Sequence, residues 1–281
     1  MPSHTIILDE ARTLHLLTQG EGPAILLVHG AISTHADWLG GPFEALSRLG
    51  CAIAVDRPGH GLSRRPRLAG SPRDQARQIE EGVRRLGVSH AVVVGHSFGA
   101  LVSLALAEQA GDFVRGLVLV SPVGFPEFRP LEQALFGPRA WPVAGPVLSE
   151  LAARTLDRPL LEQAHRLMFW PRAIDENWRR HYDWDWMQNG AAGVANGEDA
   201  LALSPWSPES RRDFGRIDVP VHIFAGERDL IANPAFHAGR LDAALPRSTL
   251  EMVADEGHML HRQHPEKIAA AAASLLEPVA A

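Results

Sequence analysis

Five residues, Gly95-His96-Ser97-Phe98-Gly99, carry the clearest chemical signal in the sequence. A serine hydroxyl is a poor nucleophile at neutral pH, so its use depends on how it is held and on a base that takes its proton. The strand-like run Ala91-Val92-Val93-Val94 leads directly into the pentapeptide, and the helical run Ala100 to Leu106 leads out of it. A serine between strand and helix, with glycines two residues to either side, sits on a turn sharp enough to strain its backbone. The glycines leave room for the neighbouring strand and helix, and the hydroxyl stands clear of the backbone at the helix N-terminus. A serine in a Gly-rich turn also caps helices without doing chemistry, and the bare pentapeptide does not separate the two roles.

The elements around it make the difference. Apolar, β-branched runs alternate with longer segments of helical period, the pattern of a parallel sheet with helices on both faces. Core strands are expected at Ile25 to Val28, Ala52 to Val55, Ala91 to Val94, Leu117 to Val120 and Val221 to Ala225, with Thr249 to Val253 last. Thr5 to Leu8 and Thr13 to Leu17 pair as an antiparallel start. Helices are expected at Pro42 to Leu49, Pro72 to Leu86, Phe98 to Gln109, Ala235 to Leu245 and Pro265 to Leu276. Proline at the first position of three of these suits a first helical turn.

The alternation stops near residue 121 and resumes at about 219. Between them, Pro122 to Phe214 holds six of the seven tryptophans, Tyr182, five of the ten phenylalanines and ten prolines, so short helices are favoured over long strands. The expected fold is α/β, a mostly parallel β-sheet flanked by helices. Residues 1–121 and 215–281 form its core, and 122–214 form an inserted, mainly helical cap.

At this level the sequence resembles the α/β-hydrolase superfamily, in its serine-nucleophile, esterase-like branch. His29-Gly30-Ala31, after the first parallel strand, is similar to the family's HG turn, and Asp56-Arg57-Pro58-Gly59-His60-Gly61-Leu62-Ser63 to its D-x-P-G-x-G-x-S loop. The resemblance implies that Asp229, in Gly226-Glu227-Arg228-Asp229, is the catalytic acid, and that His258, in Gly257-His258, is the catalytic histidine. The order Ser97, Asp229, His258 is the family's order. His258 would take the serine's proton and return it to the leaving group, while Asp229 holds the imidazole's tautomer and stabilises its cation. Backbone N–H groups of Ala31 and Phe98 are the expected oxyanion donors.

Other acids and histidines compete for these roles. Asp255 and Glu256 adjoin His258, but neighbours in a short loop rarely reach the imidazole's far nitrogen. Some relatives carry the acid after the preceding strand, where this chain has Ser121-Pro122-Val123-Gly124 and no carboxylate before Glu127. His258, His261 and His264 are spaced by three, yet no supporting Cys or carboxylate cluster accompanies them, so no metal is expected. His29 and His60 are read as turn residues bonded locally, and His96 as packing under the turn.

Composition narrows the function classes. The chain has 281 residues, 46% of them apolar, with 27 basic residues against 33 acidic ones and a formal charge of -6. No long basic run marks a nucleic-acid or polybasic membrane surface. The lone cysteine, Cys51, reads as a core residue, and the N-terminus lacks a signal-peptide pattern, so a cytoplasmic protein is expected. Phosphate-loop and dinucleotide patterns are absent, and no cofactor is expected. The expected partner is a small-molecule substrate, with no nucleic acid and no membrane; no feature specifies an oligomeric state.

The expected activity is cleavage of a carboxylic ester or related acyl compound, a lactone or thioester, through an acyl-serine intermediate. Serine at 97 sets the chain apart from relatives resembling haloalkane dehalogenases and epoxide hydrolases, which place aspartate there. Carbon–carbon bond hydrolysis of a diketone-like substrate is the alternative, weakened by Met259 where such relatives usually carry tryptophan. A small-molecule receptor on the same fold is the alternative from another class. Trp184, Trp186 and Met259 are expected to border the substrate cleft, with at least half of the cap tryptophans forming the cap's own core. The pair Arg179-Arg180 reads as a solvated face.

Overall fold

A computed structural model describes residues 1–276; the final five residues of the expected core, 277–281, lie outside the described residues. Eight strands form one sheet: β1 (Ser3–Ile7), β2 (Thr13–Gln19), β3 (Ala24–Val28), β4 (Cys51–Val55), β5 (Ala91–His96), β6 (Val114–Val120), β7 (Val221–Gly226) and β8 (Ser248–Val253). Their spatial order is β1-β2-β4-β3-β5-β6-β7-β8. The first two pair antiparallel with each other, β2 pairs antiparallel with β4, and every later pairing is parallel.

Three helices lie between the early strands: α1 (Pro42–Ser47), α2 (Pro72–Arg84) and α3 (Phe98–Gln109). Six more, α4 (Pro130–Phe136), α5 (Ala144–Thr155), α6 (Asp157–Phe169), α7 (Glu176–His181), α8 (Trp184–Met187) and α9 (Gly190–Ala202), fill the connection from β6 to β7. Helix α10 (Arg240–Ala244) lies between β7 and β8, and α11 (Leu260–Gln263) and α12 (Pro265–Leu276) follow β8. Ser71 caps α2 by accepting from the Asp74 N–H at 3.1 Å, with Pro72 at the first helical position.

Side chains of a strand alternate between faces, and here both faces are buried. Leu26, Val28, Val93, Leu117 and Leu119 pack with α2 and α3 on one side. Their neighbours Ile25, Leu27, Val92, Val94, Val118 and Val120 pack with α1 and α12 on the other. Helix α3 is buried almost all round, because both the sheet and α2 cover it. That burial fixes the start of α3, and with it the position of Ser97.

The connection between β6 and β7 has a small apolar cluster of its own. Leu161, Met168, Phe169, Trp178, Tyr182, Met187 and Ala192 form it, with Met259 from the core side and with Trp184 and Trp186 partly buried against it. Trp141, Trp170 and Trp206 are exposed. Trp184 begins the short α8, which Asp183 caps by accepting from the Trp186 N–H at 2.9 Å. Among the described residues, no helix is long and apolar enough to cross a membrane.

Candidate active site

Ser97 joins β5 to α3 with φ 54° and ψ −121°, a left-handed conformation that is strained for a residue with a Cβ. The surroundings enforce it. Ser97 N–H donates to Val120 O at 3.0 Å, and Ser97 O accepts from Ala100 N at 3.0 Å and Val123 N at 3.1 Å. Both flanking glycines are required by close approach: a Cβ on Gly99 would collide with the Val28 and His29 carbonyls, and one on Gly95 with Ala100 and Ser103 of α3.

The side chains downstream of β7 and β8 converge on this serine. Ser97 Oγ donates to His258 Nε2 at 2.9 Å, and His258 Nδ1–H donates to Asp229 Oδ2 at 2.8 Å. The second carboxylate oxygen of Asp229 accepts from the N–H groups of Ile231 at 2.7 Å and Ala232 at 2.9 Å. Burial alone would raise the Asp229 pKa, but the His258 ring and those two N–H groups outweigh it and hold the carboxyl below its usual range. Burial keeps His258 below the ordinary histidine value, against the opposing pull of Asp229, so the neutral imidazole is favoured. Neither competing acid reaches the ring: Asp255 pairs with Arg228 at 2.6 Å, and Glu256 with Arg172 at 2.7 Å.

The turn after β3 lies against Ser97. Among the described residues, the backbone N–H groups of Ala31 and Phe98 have no partner within the protein, and both residues face the same cavity as Ser97. The next residue, Ile32, has φ 46° and is held from the β6–β7 connection on both its polar groups. Its N–H donates to Asn196 Oδ1 at 2.7 Å, and its carbonyl accepts from the Tyr182 hydroxyl at 3.0 Å. Sequence reading missed Asn196 and Tyr182, because nothing near either residue signals a partner about 150 positions away.

Over Ser97 lies a cavity of about 340 Å³. Its floor is Ala31, Ser97, Phe98 and His258; its walls are mainly Leu131, Leu135, Leu161, Leu167, Met168, Met187 and Leu203. Along α9, Gly193, Asn196, Ala200 and Leu203 just beyond it line one wall at helical spacing. The charged wall residues are all paired: Arg129 with Glu132, Arg139 with Asp157, and Asp199 with Arg57. Trp184, Trp186 and Met259 do not line it. Trp184 stacks edge-on against Tyr182 and His165, Trp186 lies against His60, and Met259 is buried under the α6–α9 cluster. Aromatic type marked out the two tryptophans and the place after His258 marked out Met259, but all three pack against the α6–α9 cluster instead of the cavity; the leucines and methionines that face Ser97 carry no comparable sequence signal.

The sequence pattern that defines the alpha/beta hydrolase family matches residues 25–271. The chain belongs to the alpha/beta hydrolase family. It is 27% identical over 273 residues to haloalkane dehalogenase 2 of Mycobacterium tuberculosis, covering 92% of this chain and 89% of that protein. Among solved structures, a thermophilic esterase from Thermogutta terrifontis is 22% identical with a TM-score of 0.76, each chain covered to 98%. The enol-lactonase from Burkholderia xenovorans is 20% identical with a TM-score of 0.74, covering 98% of this chain and 99% of that one.

Behind the histidine loop, this hydrolase carries a second buried group. Asp37 Oδ2 lies 3.3 Å from both His96 Nδ1 and His261 Nε2, and His96 Nε2 lies 3.2 Å from the His258 carbonyl. Burial pushes the Asp37 pKa up, but the two histidines outweigh it and hold the carboxyl far below its usual range. The three histidines spaced by three thus serve three carboxylates: His258 faces Asp229, His261 faces Asp37, and His264 faces Glu256 at 3.1 Å. A further cluster joins His15 and His35 to Asp56 at 2.9 and 2.8 Å. Both clusters have donors suited to a metal ion; around Asp56 the ring nitrogens are hydrogen-bonded to the carboxylate, whereas Asp37 Oδ2, His96 Nδ1 and His261 Nε2 lie within ion-pair distance without a hydrogen bond.

Proposed function

We propose that the chain is a serine hydrolase that cleaves an uncharged, largely apolar carboxylic ester, or a related lactone or thioester, through an acyl-Ser97 intermediate. The observation that carries this reading is the hydrogen-bonded chain Ser97–His258–Asp229 opening on an apolar cavity. Neutral His258 takes the Ser97 proton as the hydroxyl attacks the carbonyl carbon, and Asp229 stabilises the resulting imidazolium. The oxygen, now negative, lies against the N–H groups of Ala31 and Phe98; losing one such donor costs roughly 10²- to 10³-fold. His258 returns the proton to the leaving alcohol, and water then repeats the sequence on the acyl-enzyme.

The substrate class follows from the walls. An acyl or alcohol group of leucine-like surface fits them, and no unpaired wall cation is present among the described residues to hold a substrate carboxylate. The esterase and lactonase among the structural neighbours support the acyl reading. Residues 122–214 act as the cap that shapes this cavity.

The test combines chromogenic esters of increasing chain length with a fluorophosphonate probe. Labelling at Ser97 and turnover, both lost in Ser97→Ala with a decline of about 10⁴- to 10⁶-fold, are expected. Full turnover in purified Ser97→Ala would sink the mechanism, and binding of esters without turnover would point to a receptor.

A further inference from the structure

Arg57 is the variable residue of the D-x-P-G-x-G-x-S loop, and nothing in the proposed mechanism uses it. Its side chain is wholly buried. One guanidinium nitrogen, Nη1, donates to Gln75 Oε1 at 2.7 Å. The other, Nη2, donates both to Asp199 Oδ2 at 2.7 Å and to the Gly30 carbonyl at 3.0 Å. Gln75 Nε2 closes the ring by donating to Asp199 Oδ1 at 3.1 Å. The guanidinium carbon lies 4.7 Å from the centre of the Phe98 ring. A buried cation therefore sits behind both residues whose N–H groups face the cavity.

The Gly30 carbonyl belongs to the same peptide unit as the Ala31 N–H. In a trans peptide these two groups point in opposite directions, so fixing one fixes the other. Gly30 O accepts a second hydrogen bond, from His29 Nδ1 at 2.8 Å, while His29 Nε2 accepts from the Arg57 backbone N–H at 3.0 Å. That second contact assigns the proton on His29 to Nδ1, so both donors to Gly30 O are genuine. Hydrogen bonds along a chain polarise one another, and a charged donor does so most strongly in a buried site.

We propose that Arg57, held by Asp199 of the cap, is a positioning residue for the oxyanion hole: it orients the Gly30–Ala31 peptide and strengthens the Ala31 N–H as a donor. This rests on the acyl-serine reading above. It also gives the cap a chemical part in the reaction, because the carboxylate that holds the guanidinium comes from α9. The carboxyl of Asp199 stays far below its usual pKa, since Arg57 and His60 outweigh the effect of burial, so the pair remains charged through the neutral range.

The experiment compares wild type, Arg57→Lys and the paired Arg57→Met/Asp199→Leu variant on one chromogenic ester. The concentration of reactive sites is set by fluorophosphonate titration of Ser97, so misfolded molecules drop out of every rate. Inhibition by a trifluoromethyl ketone, whose tetrahedral adduct carries the oxyanion, is measured alongside. Arg57→Lys keeps the charge but loses the fork. It is expected to lower kcat per titrated site by about 10-fold with KM nearly unchanged, and to weaken the inhibitor by the same factor. The paired variant is expected to lose about 100-fold on both measures, below or near the loss from deleting a donor outright. A purely structural role would reduce the titrated fraction and leave both quantities as in wild type, which overturns the proposal. If the paired variant does not fold, Arg57→Lys decides alone. Wild-type protein that cleaves no ester and is not labelled at Ser97 defeats the underlying reading and the proposal with it, an outcome distinct from active wild type with unaffected variants.

Discussion

The indole N–H of Trp178 donates to Asp37 Oδ1 at 2.8 Å, joining the β6–β7 connection to a carboxylate buried behind the His258 loop. The other oxygen of that carboxylate faces His96 and His261, so Asp37 is shared between the sheet core, the histidine loop and α7. A buried anion is tolerable only while its donors remain in place. Trp178→Phe keeps most of the ring volume and removes one donor to a charged acceptor. It is expected to lower unfolding free energy by about 1.5–3 kcal/mol in urea titration, with a smaller effect on kcat. An unchanged urea midpoint would show that Asp37 does not depend on the indole.

The acid limb of activity follows from His258. Burial lowers its pKa below 6.5, and only the neutral ring accepts the Ser97 proton. The expected kcat/KM is flat through neutral pH and falls on acidification with a midpoint below pH 6.5. A midpoint above 6.5 would mean that Asp229 holds the imidazolium more strongly than burial opposes it.

Much of this architecture was legible because it is written in local pattern. The strands from Ile25 to Val28 and from Ala91 to Val94 are apolar runs with β-branched residues, buried on both faces, and each reads as a strand without reference to the rest of the chain. Ser97 and the residues flanking it are likewise contiguous. The cavity wall is different. Leu161 and Met187 face Ser97 while Trp184 and Trp186 do not, and that choice depends on how six short helices pack together. Arg57 and Asp199 are 142 positions apart, and no periodicity reports such a pairing.

Acid should unfold the protein before it damages the peptide chain. His60, His165 and His237 are each lowered to about 4 and His261 to about 3, in every case chiefly because burial disfavours the charged ring. In the unfolded chain these rings titrate near 6.5. Between about pH 6.5 and 4 the unfolded state therefore binds more protons than the folded one, so stability falls as pH falls through this window and is unaffected by these groups above it. Unfolding at pH 5 is expected to take up about four protons from these rings, read from the pH dependence of the unfolding free energy. Stability that stayed level from pH 7 to 5 would contradict the burial of these histidines.

Chain-length selectivity should reside in α9. Ala200 lies on the wall of the cavity, buried, one turn beyond Asn196 on the face that also carries Gly193. Its small side chain leaves space that a longer acyl group can occupy, and the backbone there is rigid because α5 packs along α9. Ala200→Leu extends a branched side chain into the cavity without adding charge or disturbing the helix, since leucine is a good helix former. Acetyl esters need little of this space and should keep their kcat/KM. Esters with longer acyl chains must give up contacts worth about 1–3 kcal/mol for each methylene excluded, so their kcat/KM should fall by at least about 10-fold. The ratio of the two rates, measured on a homologous series of nitrophenyl esters, separates this from general damage, which would lower both together. An unchanged ratio would mean that the apolar part of the substrate does not lie along α9, and would move it toward the Leu131 and Leu167 side of the cavity.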